Sequence, residues 1–158
     1  MESKLSLQEF RLSLKNNTEI GSPKLKLSPF GVFFNLFGGQ SKPFYGLFDD
    51  KSFRLTMNYT TSPTFFIIKG QYKITNRTFI ISYTIEPSPR LYLVWIKFFP
   101  IIALVLINIS FFFSEVQKEV FILPNIALIF IFFFSRWNLK QKRKNIEKKF
   151  VEIFEILQ

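Results

Sequence analysis

The chain has 158 residues, 23 of them Phe, a formal net charge of +10, and neither His nor Cys. Lack of His and Cys removes the usual metal ligands, the usual general base near neutral pH and every thiol nucleophile, so a zinc site and a Ser-His-Asp triad are excluded. The length suits about one domain, yet its apolar residues are unevenly spread: the stretch before Leu91 mixes polar, charged and aromatic residues, and the stretch from Leu91 to Phe134 is nearly continuous hydrocarbon.

The N-terminal region reads as β structure with turn punctuation. Leu5 and Leu7, then Phe10, Leu12 and Leu14, each alternate, with a slip of phase between Leu7 and Phe10. That pattern admits a bulged strand or a short helix, and a strand is the expectation. The segment Ser28 to Pro43 sets Phe30, Phe33, Phe34 and Phe37 before a Gly38–Gly39 break. It reads as a core segment covering a sheet, or as a loop dipping into a membrane interface.

Next, FYGLF at Phe44 to Phe48 is expected to pair with SFRLTMNY across a polar turn at Asp49, Asp50 and Lys51. Alternation of Phe53, Leu55, Met57 and Tyr59, and of Phe79, Ile81, Tyr83 and Ile85, marks two strands with one buried face each. Between them, Pro63 to Ile74 is apolar on both faces at Phe65 to Ile68, and Asn76 and Arg77 stand where a tight turn belongs. An antiparallel β-meander results. Gly46 and Gly70 suggest bulges or close backbone approach.

The run Leu91 to Phe113 is about 23 residues, enough to cross about 30 Å of hydrocarbon as a helix. A second run, Val120 to Phe134, is about 15 residues and is ambiguous alone. The link from Ser114 allows only a tight hairpin, so the pair is read together as two transmembrane helices. The rest of the chain is too small to cover two helices apolar on all sides, which disfavours a soluble core. Counting outward from the link pairs Asn108 with Asn125 at one depth, where interhelical hydrogen bonding is expected. It also places Trp95 level with Trp137 and Lys97 level with Arg136 at a membrane interface. The purely apolar part is then about 16 residues per helix, near 24 Å, shorter than a typical hydrocarbon core.

Beyond the second run, the basic cluster Lys140 to Lys149 favours anionic lipid over nucleic acid as its partner, with Lys140, Lys142, Arg143 and Lys144 as headgroup contacts. Ile146, Phe150, Ile153, Phe154 and Leu157 recur at helical spacing, an amphipathic helix that lies on the membrane, packs on the sheet domain, or makes a homo-oligomer contact. The bias of Lys and Arg after the second run puts both termini in the cytoplasm, and MESKLSLQEF carries no apolar signal-peptide core.

The expected architecture is therefore an α+β membrane protein: a cytosolic mainly-β domain over 1–89, a transmembrane hairpin over 90–137 (spans 91–113 and 120–136, link 114–119), and a basic amphipathic helix over 138–158. The order FYGLF, SFRL, IKGQYKI and FIISYTIEP leading into an apolar helix pair, between Phe44 and Phe134, resembles a loose group of uncharacterised small bacterial membrane proteins. Gly46, Phe53, Gly70 and Ile81 carry most of that resemblance. It implies location in a bacterial inner membrane and supplies no catalytic residue.

Acidic residues number only eleven, and between Lys51 and Ser114 there is only Glu86, which speaks against a paired-carboxylate site. Asp49 and Asp50 read as a solvated turn rather than a magnesium site. Gly38 and Gly39 lack the Lys and Ser or Thr of a P-loop. No catalytic, cofactor-binding or metal residue is assigned. The expectation is a non-enzymatic, membrane-anchored module that senses or binds a cytosolic protein; the alternative is a pore-forming, toxin-like effector built from an oligomer of hairpins.

Overall fold

The computed structural model describes residues 1–22, 42–58, 65–75, 78–88, 90–114 and 118–157. The Phe-rich segment Phe30 to Phe37, the Gly38–Gly39 break, the Asn76–Arg77 turn and most of the link after Ser114 lie outside these residues. In chain order the elements are β1 (Glu2–Ser3), α1 (Leu7–Asn17), β2 (Thr18–Ile20), β3 (Phe44–Phe48), β4 (Ser52–Met57), β5 (Phe66–Thr75), β6 (Thr78–Pro87), α2 (Arg90–Phe112), α3 (Lys118–Ile153) and β7 (Ile156–Leu157). The fold class is α+β. Two compact units result, one formed by Met1–Pro89 with Lys142–Gln158, the other by Arg90–Gln141.

In the first unit, seven strands form one sheet in the order β2-β3-β4-β5-β6-β1-β7. Strands β3 to β6 are an antiparallel meander, with Phe53 opposite Phe48 and Gly70, and Ile68 opposite Leu55 and Ile85. The sheet as a whole is mixed rather than purely antiparallel, because β2 adds to β3 in parallel. At the other edge β1 bonds both β6 and β7, so the C-terminal strand closes the sheet beside the N-terminal one.

The expected strand over residues 5–14 is instead the helix α1. Ser6 and Glu9 form a capping box: the Ser6 hydroxyl accepts from the Glu9 amide at 3.3 Å, and the Glu9 carboxylate accepts from the Ser6 amide at 2.8 Å. Leu7, Phe10 and Leu14 then follow at i, i+3 and i+7, so the apparent slip of phase is the three-residue step of a helix face. At the other end, the Lys42 ammonium donates to the Lys15 and Thr18 carbonyls, groups that the end of a helix leaves without intrahelical partners.

One face of the sheet carries the core. Phe44, Phe53, Leu55, Ile68, Tyr72 and Ile81 are buried against Phe10 and Leu14 of α1 and against Ile146, Phe150 and Phe154 at the end of the chain. The amphipathic stripe of the tail is thus a core face of the β unit. Its rings interlock with the rest: Phe150 lies 5.4 Å from Phe53 and 4.9 Å from Tyr83, and Phe154 lies 5.1 Å from Phe10, within the range of favourable aromatic pairs. Gly70 is required where it stands, because the Phe53 ring lies over it and a Cβ there would meet Phe53 Cζ at 2.2 Å.

In the second unit, α2 and the first part of α3 are the two helices among the described residues long and apolar enough to cross a membrane. The protein itself covers little of them; Leu91, Phe112, Leu123 and Phe130 are all strongly exposed. The basic helix does not begin afresh after Trp137: α3 runs unbroken to Ile153, and the boundary between the units falls within it, after Gln141.

Candidate functional site

Side chains alternate across a strand, so the residues between the core positions point to the opposite face: Arg54 on β4, Lys69, Gln71 and Lys73 on β5, Ser82, Thr84 and Glu86 on β6. The helical elements of the core cluster pack on the other side, and among the described residues Arg54, Gln71, Lys73, Ser82 and Thr84 of this face are exposed. Thr56 and Ile67 are buried at one end of it. The exposed part forms a shallow depression lined by Ser52, Arg54, Lys69, Gln71, Ser82 and Thr84. Arg54 and Lys69 stand directly opposite each other, a like-charge arrangement that costs stability. Lys69 is compensated by Glu86, whose carboxylate accepts from its ammonium at 2.5 Å. Among the described residues no carboxylate comes within 4.0 Å of Arg54. The face presents a guanidinium, an ammonium, hydroxyls and an amide, which suits recognition of polar or anionic groups.

The turn at one end of this face consumes its acids. Asp49 Oδ1 accepts from the backbone amides of Lys51 and Ser52 at 2.8 and 2.7 Å, and Oδ2 accepts from the Ser52 hydroxyl at 2.8 Å. These donors hold the Asp49 carboxyl below the usual range, the Lys51 amide contributing most. Asp50 pairs with Arg11 at 3.2 Å, and the Tyr72 hydroxyl donates to the Asp49 carbonyl at 2.5 Å. Nothing in the spacing of Arg11 and Tyr72 links them to Asp49 and Asp50, so the sequence alone does not reveal these partners. Among the described residues no three acidic, His or Cys side chains gather as metal ligands.

The hairpin has a polar centre. Asn108 Nδ2 donates to Asn125 Oδ1 and to the Leu104 carbonyl, both at 2.7 Å. Asn125 Nδ2 returns the bond to Asn108 Oδ1 at 3.1 Å and donates to the Phe121 carbonyl at 2.9 Å. All four amide hydrogens are used, so the pair is closed within one hairpin and offers no spare donor to a third group. Phe111 and Phe121 pack nearby at 4.3 Å. Trp95 and Trp137 are each exposed, against Phe99 and Phe134 of their own helices. Lys97 is exposed, and the Arg136 guanidinium lies 4.1 Å from the Phe132 ring.

Of the basic residues after the hairpin, Lys140, Arg143 and Lys144 are exposed. Lys142 differs: its ammonium sits 4.5 Å from the Phe65 ring, half-buried, and the loss of hydration lowers its pKa. No known protein family, curated protein or solved structure matches this chain.

Proposed function

We propose that this chain is a membrane-anchored interaction module, in which an apolar helical hairpin holds a mainly-β unit against the cytoplasmic face of a bacterial inner membrane and the open sheet face takes up a protein partner. One observation carries the reading. Both flanks of the hairpin contribute to a single sheet, with Glu2 opposite Leu157 and Ser3 opposite Ile156, so a chain that enters a bilayer after Pro87 has to return to the same side. Two apolar helices with little protein cover supply that even number of crossings. The excess of Lys and Arg beside the hairpin ends supports the cytoplasmic side, and the face around Arg54 and Lys69 supports a binding rather than a catalytic role. The closed Asn108–Asn125 pair favours an anchor over a pore lining.

A photoreactive side chain placed at Gln71 or Thr84 in the full-length protein, in intact cells, tests this. One discrete protein adduct from the open face, absent when the probe sits at Leu12 on the outer side of α1, is the expected result. Dye uptake and growth arrest on expression without any adduct would instead identify a membrane-active effector.

A further inference from the structure

We propose that the outward side of α3 just past the hairpin, carrying Lys144 and Lys148, docks on the anionic phospholipid headgroups of the membrane that the hairpin enters. This rests on the membrane reading above and adds a lipid partner to it.

The inward side of these turns is already occupied by Ile146 and Phe150, which are buried in the sheet core. At about 100° per residue, Lys144 and Lys148 lie about 200° from Ile146, on the side turned away from that core. Both are exposed. Glu147 and Glu152 stand at helical spacing from them, yet among the described residues no carboxylate lies within 4.0 Å of either lysine. An unneutralised i, i+4 pair of lysines destabilises a helix slightly, and an external anion removes that cost. Lys142 is set apart from this group, because its ammonium is spent on Phe65 inside the unit.

The tether decides between anionic partners. Lys144 and Lys148 belong to the same unbroken helix as the second apolar run. A bilayer is thus held within reach at high effective concentration, while a nucleic acid would have to arrive from solution. Lys144 stands about one turn nearer the apolar run than Lys148, which makes it the stronger contact of the two.

The test uses full-length protein in vesicles of phosphatidylcholine with or without phosphatidylglycerol. The chain has no cysteine, so Asn145→Cys carries a single environment-sensitive fluorophore beside the two lysines. Phosphatidylglycerol is expected to shift its emission to the blue, and molar salt to reverse the shift, because the screening length falls to about 3 Å. A headgroup contact contributes up to roughly fivefold to the docked population and the two lysines together up to roughly thirtyfold, so the Lys144→Gln, Lys148→Gln double variant loses the shift. Lys144→Gln alone loses more than Lys148→Gln. Emission that ignores phosphatidylglycerol while the protein still floats with the vesicles overturns the lipid contact and leaves the anchor standing. Failure to float overturns both. Stronger displacement of the fluorophore by an oligonucleotide than by phosphatidylglycerol vesicles assigns the face to nucleic acid and overturns the proposal.

Discussion

Replacing Phe150 with Ala removes a fully buried ring that touches Phe44, Phe53, Tyr83 and Phe154 at centroid distances of 6.2, 5.4, 4.9 and 4.9 Å. Deleting such a side chain costs about 3–5 kcal/mol, and the loss of four aromatic pairs places Phe150 toward the upper end. Against a whole-domain stability of about 5–15 kcal/mol, that is a large fraction. Hydrogen exchange of the β4 amides, in full-length protein in detergent, reads the effect directly. For amides that open through unfolding of the unit, exchange should accelerate roughly 10²-fold or more. The exposed neighbour Lys149→Ala serves as control and should stay within about 0.5 kcal/mol of the parent. Unchanged protection in β4 after Phe150→Ala would refute the inclusion of the tail in the sheet core.

The same geometry sets three further outcomes. Replacing Asn108 and Asn125 by Leu, singly and together, should show coupling of about 0.6–2 kcal/mol in detergent unfolding; strict additivity would mean that the reciprocal amide bonds do not form. Gly70→Ala should lower stability by about 1–3 kcal/mol, because the new methyl group overlaps the buried Phe53 ring, and trimming that ring with Phe53→Leu should recover part of the loss. Asp49 has a folded pKa below its unfolded one, so its contribution to the β3–β4 turn is full above the unfolded value and fades as pH falls through the lower folded value. The protection factor of the Ser52 amide, its exchange corrected for intrinsic slowing in acid, should therefore fall at acid pH in the parent, and Asp49→Asn should flatten that dependence.

Much of the sheet was legible because its central strands obey a period of two. Phe53, Leu55 and Met57, or Phe79, Ile81 and Tyr83, declare a buried face without help from the rest of the chain. Helix α1 was also written in the sequence, as Ser6 and Glu9 at capping-box spacing before Leu7, Phe10 and Leu14, but the local alternation of Leu5 with Leu7 and of Leu12 with Leu14 masked it. Strands β1, β2 and β7 were not legible, since two or three residues carry no period and depend on partners distant in sequence; Glu2 finds Leu157 only through the fold. The stripe Ile146, Phe150 and Phe154 was visible as a helix face, while its partner was not, because periodicity says that a face is covered and never by what. The Asn108–Asn125 register could be counted from a short link. The open sheet face and the inward turn of Lys142 required coordinates, since neither has a spacing of its own.

A membrane-crossing hairpin leaves both of its flanks on one side of the bilayer. The absence of Cys makes this arrangement directly measurable with a membrane-impermeant maleimide on single-cysteine variants of the full chain. Leu12→Cys and Lys149→Cys, both at exposed positions of the β unit, should react in inside-out vesicles and stay silent in intact spheroplasts, while Ser114→Cys at the hairpin tip should do the reverse. Labelling of all three from one side, or of Leu12→Cys and Lys149→Cys from opposite sides, would contradict the account.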